Sequence, residues 1–221
     1  SGGKYQLDVG EIRNAFVGLE TARERIRQFR ADRVARVLAG ETPIPMGDGP
    51  KVIAHVIPIG ASEAWTRFQG LEPRDVINVL PPLGGTPADW RHNLDGFVVH
   101  THRGDPSINA YSQLFRDGGI EAVSGGLVRL DPTSHHTFYG IHIERSLVQV
   151  LGNYQRLWVL LDVTGPFVVG LALSGVRGCR IVAGPQSGFD DRKEIDRDMV
   201  FVPDLVIEDI AHEPSALLRP L

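Results

Sequence analysis

The chain has 221 residues, 42% of them hydrophobic and 23% charged, with a formal net charge of −4. That length suits one domain, alone or with an appendage, and the charge gives no general reason to expect polyanion binding. A single cysteine, Cys179, excludes an internal disulfide and makes a reducing cytoplasm the expected setting. Charge is nevertheless uneven, because residues 1–40 hold eight basic and five acidic side chains while the remainder is acidic. Any nucleic-acid contact is therefore expected near the N-terminus.

Taken in chain order, "DVGE" and "TARE" both read as capping boxes, with Asp8 and Glu11 starting one helix and Thr21 and Glu24 another. Gly18 separates the two, and the second is expected to stop at Gly40, with Pro43 just beyond. After the Pro/Gly-rich link "TPIPMGDGP", the β-branched run "KVIAHVIPI" predicts a strand and "EPRDVINVL" a short helix. "LDGFVVHTH", "NAYSQLFR", "GIEAV" and "GLVRL" are strand-like, and "DGG" at 117–119 and "SGG" at 124–126 predict antiparallel hairpins between the last three. The longest helix is expected in "HIERSLVQVLGNYQRLWVLL", where Ile143, Leu147, Val150, Leu151, Tyr154, Leu157 and Trp158 recur at helical spacing. "FVVGLALS", "RGCRIVA" and "DLVIEDI" read as the closing strands. Asp162, Gly165 and Pro166 break the greasiest stretch too early for a membrane span of about 20 residues. The sum is an α+β fold, mostly antiparallel sheet with packed helices. A helical arm over residues 1–41 precedes an α+β domain over 42–221.

"EIRNAF", "ERIRQFRADRVARVLAGETPIP", "YSQLFRDGGIEAV", "SGVRG" and "IDRDMVFVPDLVIEDI", ending in "LLRPL", resemble a bacterial family of ATP-binding proteins that carry an N-terminal Schlafen-type, AlbA-like domain. The resemblance covers most of the chain in order. It implies that a Schlafen-type domain lies upstream and that residues 1–12 are its tail. It also implies that "LLRPL" is cut short and that any ATP is held by the upstream domain. No cofactor is expected in this chain, and the resemblance transfers no active-site residue to it.

Six arginines fall within residues 23–36. At 100° per residue, Ala22, Ile26, Phe29 and Val37 form an apolar stripe with Arg33 inside it. Arg23, Arg27 and Arg30 border one side, and Arg25 and Arg36 the other. A helix built to grip a duplex should aim its arginines away from the protein, whereas these border the buried side. Arg33 must meet an acidic partner from the sheet or line a contact with another module. Arg23, Arg27, Arg30 and Arg33 are thus the expected surface for interdomain or nucleic-acid contact, with DNA or RNA as possible ligands. Finding all four guanidiniums satisfied within the chain's own fold would count against that surface.

The expected role is a non-catalytic accessory module. The alternative is a metal-dependent phosphodiesterase using His100 and His102, which share a strand face, with the carboxylates of 190–198. Further histidines, His135, His136 and His142, stand near Glu144 without a recognised ligand spacing, and no metal is expected. Cys179, flanked by Arg177 and Arg180, would be a nucleophile only if those charges lowered its thiol pKa; inert core is the expected state. No nucleophile elbow or phosphate-binding loop occurs.

Overall fold

The computed structural model describes residues 9–60, 64–101, 105–106, 109–131, 135–182, 194–209 and 211–218, with only the backbone of 9–19 and 65. The described part is α+β, with eleven strands and five helices. Its frame is an eight-stranded antiparallel sheet. Seven strands run in the order β10 (Met199–Phe201), β8 (Phe167–Ser174), β1 (Lys51–Pro58), β5 (Ile120–Ser124), β4 (Ala110–Phe115), β3 (Gly96–His100) and β2 (Asp89–His92). β11 (Leu205–Ile207) joins β10 in pairing with β8. A separate three-stranded sheet consists of β6 (Val128–Leu130), β7 (His136–Tyr139) and β9 (Arg180–Val182).

Both faces of the large sheet are covered, which is why β1 and β8 read as nearly unbroken apolar runs instead of alternating ones. On one face lies α4 (Gly140–Leu161), whose buried Leu147, Val150, Leu151, Tyr154, Leu157 and Trp158 meet Val52, Ala54, Val56, Ala122, Val169 and Leu171. The Trp158 indole donates to the Gly118 carbonyl at 2.8 Å, fastening the helix to the turn between β4 and β5. The short helices α2 (Ala64–Phe68) and α3 (Pro73–Ile77) close the same layer through Phe68 and Val76. The last helix, α5 (Pro214–Leu217), sits near the end of the described chain.

The other face is covered by α1 (Val9–Leu38). Ile26 and Phe29 pack on Ile57 and Val168. Val34 and Val37, with Ile44 from the following link, pack on Ile53, Val98, Tyr111, Val123 and Ala172. The expected stripe is therefore the buried one. The helix ends as the glycine signal requires. Gly40 has φ +77°, its amide donates to the Val37 carbonyl, and that of Glu41 donates to the Arg36 carbonyl at 2.9 Å. This is a Schellman closure.

Four expectations are corrected. Gly18 does not divide two helices: one helix runs from Val9 to Leu38, since an interior glycine costs only about 1 kcal/mol. The Thr21/Glu24 box is accordingly not a helix start, and Asp8 lies outside the described residues. The turn at 124–126 does not make a hairpin, because β6 leaves the large sheet to pair with β7. The boundary at 41/42 does not separate an arm from a domain, because from Ala22 onward α1 is one layer of the same body.

Candidate functional site

Between α1 and the sheet lies a row of polar residues that the apolar pattern does not explain. Strand register places Gly170, His55, Glu121 and Gln113 side by side on β8, β1, β5 and β4. Three of these side chains, His55, Glu121 and Gln113, are buried. From above, α1 lowers Arg30 and Arg33 onto the row.

Arg33 grips Glu121 with both arms of its guanidinium, Nε to Oε2 at 2.9 Å and a terminal nitrogen to Oε1 at 2.8 Å. The same carboxylate accepts from the Tyr111 hydroxyl at 2.8 Å and bonds the Nε2 of His55 at 3.0 Å. The guanidinium also stands over the Phe115 ring, 5.2 Å from its centroid. Arg30 pairs with Asp204, from the loop between β10 and β11. Its guanidinium occupies the space above Gly170, where any Cβ would overlap it.

Burial opposes the charge on Glu121, which is 0% exposed, yet the bonds from Arg33 and His55 outweigh it and hold the carboxyl at about 2. Burial likewise works against charge on Arg33, but its bond to Glu121 raises its pKa overall. Tyr111 is pushed well above the ordinary phenol range, first by burial and then by the neighbouring carboxylate. A general acid or base needs a reachable proton and a pKa near working pH. Glu121 has neither. The cluster is an ionic clamp that fixes the register of α1 on the sheet. Inside it, His55 Nδ1 and Arg30 Nε are buried without a hydrogen-bond partner among the described residues.

The four expected contact arginines therefore divide. Arg30 and Arg33 are about 6% and 7% exposed and turned into the chain's own fold, which withdraws them from outside contact. Arg23 and Arg27 lie on the outer side and pair, among the described residues, with Glu20 and Glu24, one turn earlier on the same helix. All four guanidiniums thus find a carboxylate within the chain, and the four-residue surface does not stand as drawn. The sequence flagged Arg33 as an arginine in an apolar stripe. It held no signal for Glu121, His55, Tyr111 and Asp204 as partners, because only strand order brings them together.

The phosphodiesterase constellation does not assemble among the described residues. His100 lies on β3, its Nδ1 bonded to the Thr101 carbonyl at 2.9 Å. Asp198 directly precedes β10, five strands away in the sheet order, which is about 24 Å at the usual strand spacing. Glu194 pairs with Arg180, and Asp196 with Arg197; His102, Asp190 and Asp191 lie outside the described residues. No group of three or more histidines, cysteines or carboxylates among the described residues stands where it would hold a metal. Cys179 is buried, and burial followed by the charge of Asp198 pushes its thiol pKa up despite the neighbouring arginines. A groove of about 900 Å³ between α4 and the chain around Glu208, Asp209 and Glu213 has those carboxylates in its wall, with no histidine or cysteine among its described lining residues.

These features define an α+β domain whose helical layer is locked to a two-sided sheet by one buried and one part-buried ion pair. No family model, curated protein or solved structure matches the chain. No helix among the described residues is long and apolar enough to cross a membrane.

Proposed function

We propose that the chain is a non-catalytic accessory module of a Schlafen-type bacterial protein, joined to an upstream ATP- or nucleic-acid-binding domain by the outer flank of α1. The observation that carries this reading is the division of labour along that helix. Arg30 and Arg33 anchor it to the sheet, while Arg27 and Arg23, one and two turns closer to the N-terminus, remain exposed. A rigidly held helix with cations on its free side is suited to meet an acidic surface. The ion pairs to Glu20 and Glu24 are local and exposed and exchange readily for a better partner. The resemblance in sequence points to the upstream domain as that partner.

Calorimetric titration of the chain with a separately expressed Schlafen-type domain tests the reading. Arg23→Ala/Arg27→Ala should weaken binding without lowering the unfolding midpoint. A parallel polarisation titration with DNA and RNA separates direct nucleic-acid contact. Two phosphates neutralised on duplex DNA give a log–log salt slope of roughly −1.8, lost in the double variant. No association with either partner would end the proposal.

A further inference from the structure

The edge of the large sheet at β2 is built to pair with itself. We propose that two copies of this chain associate through β2, antiparallel across a two-fold axis at Trp90, joining their sheets into one.

The hydrogen-bond phase of β2 follows from its neighbours. The Thr101 amide donates to the Ala110 carbonyl at 2.9 Å, so Phe97 and Val99 direct their backbone groups to β4. Val98 and His100 then direct theirs to β2, where they face Arg91 and Asp89. The amides and carbonyls of Trp90 and His92 consequently aim away from β3, off the edge of the sheet. The Trp90 amide confirms this phase, because it donates to the carboxylate of Asp89 at 2.7 Å and not to a neighbouring strand. No described strand pairs on this side, and all four residues of β2 are exposed.

The side chains supply register and partner. A two-fold axis at Trp90 sets Asp89 of each copy opposite Arg91 of the other, giving two opposite-charge cross-strand pairs on one face. It also sets the two Trp90 residues directly opposite each other as a hydrogen-bonded pair. Each indole is already stacked on Phe97 of its own chain, at 5.5 Å between centroids and 28° between planes, and is 38% exposed. Moving the axis by one residue to Arg91 would place like charges face to face. Only the Trp90 register satisfies both charge and hydrogen-bond phase, and the complement to Asp-Trp-Arg is a second Asp-Trp-Arg. In the single chain, Asp89 caps the outward Trp90 amide and blunts the edge. On pairing, that amide passes to the opposite carbonyl and Asp89 is released to Arg91 of the second copy.

Sedimentation velocity across the micromolar range tests this. The wild type is expected to show a concentration-dependent monomer–dimer equilibrium. Arg91→Asp, which sets two carboxylates against two, should weaken it by about tenfold or more. The charge swap Asp89→Arg/Arg91→Asp restores complementarity and should recover the dimer. Both positions are exposed, so thermal melts should show the variants folded. A wild type that stays monomeric throughout overturns the proposal, as it would if the edge instead receives an extended segment of another protein. A dimer unmoved by Arg91→Asp, or not rescued by the swap, also overturns it.

Discussion

Replacing Arg33 by methionine keeps most of the side chain's apolar stem and removes its charge. Glu121 then remains 0% exposed with only Tyr111 and His55 as partners. Breaking a buried ion pair from one side typically costs about 3–5 kcal/mol, because the surviving charge is left without its counterion. Against a usual domain stability of about 5–15 kcal/mol, that is a large fraction. Equilibrium unfolding in urea should report it as a fall in midpoint. The second variant, Arg33→Met/Glu121→Gln, removes the stranded charge while keeping an acceptor for Tyr111, so it should be more stable than Arg33→Met alone.

The pH profile provides an independent check. The Glu121 carboxyl is held at about 2 in the fold against an ordinary 4.5. A depressed carboxyl stabilises the folded state fully above the unfolded value and loses that contribution as pH falls through the folded one. Wild-type stability should therefore fall by about 3 kcal/mol from this group as pH drops from 4.5 toward 2. In Arg33→Met the folded value moves up toward the unfolded one, so this acid-dependent loss should shrink. If Arg33→Met costs under about 1 kcal/mol, or the double variant is no better than the single, the clamp does not hold α1 as described.

Two other substitutions probe the layers on either side of the sheet. Gly170→Ala puts a methyl where the Arg30 guanidinium lies and should destabilise by about 1–3 kcal/mol; truncating Arg30 in the same background should relieve the overlap, read as a smaller cost of Gly170→Ala. On the opposite face the Tyr154 hydroxyl is buried between the Ser112 hydroxyl at 2.6 Å and the Pro81 carbonyl at 3.4 Å. Tyr154→Phe should cost about 1–2 kcal/mol by chemical denaturation, and less when Ser112→Ala is already present.

What the sequence revealed follows from how local each signal is. The α4 stripe, the Gly40 stop and the placement of Arg33 within an apolar face of α1 all depend on spacing along one helix, and each is observed. The β4–β5 hairpin was legible because "DGG" is a turn signal that acts within a few residues. β2 was missed because Asp-Trp-Arg-His is exposed throughout and carries no apolar alternation. β7 and β10 are short and only partly covered, with equally weak patterns. The hairpin expected at 124–126 failed because a turn signal does not say which sheet the next strand enters. Glu121 was hidden inside "GIEAV", an ordinary strand by composition. Its pairing with a residue 88 positions away is a property of topology.

The separation in sequence along the clamp has a consequence for how the protein is made. Arg33 waits 88 residues for Glu121, and Arg30 waits 174 for Asp204. Translation delivers α1 before the sheet it packs on, so its two inward cations leave the ribosome before either counterion. α1 thus docks only after the strands beneath it are made, and Arg30 stays without its carboxylate until Asp204, beyond β10, has been synthesised.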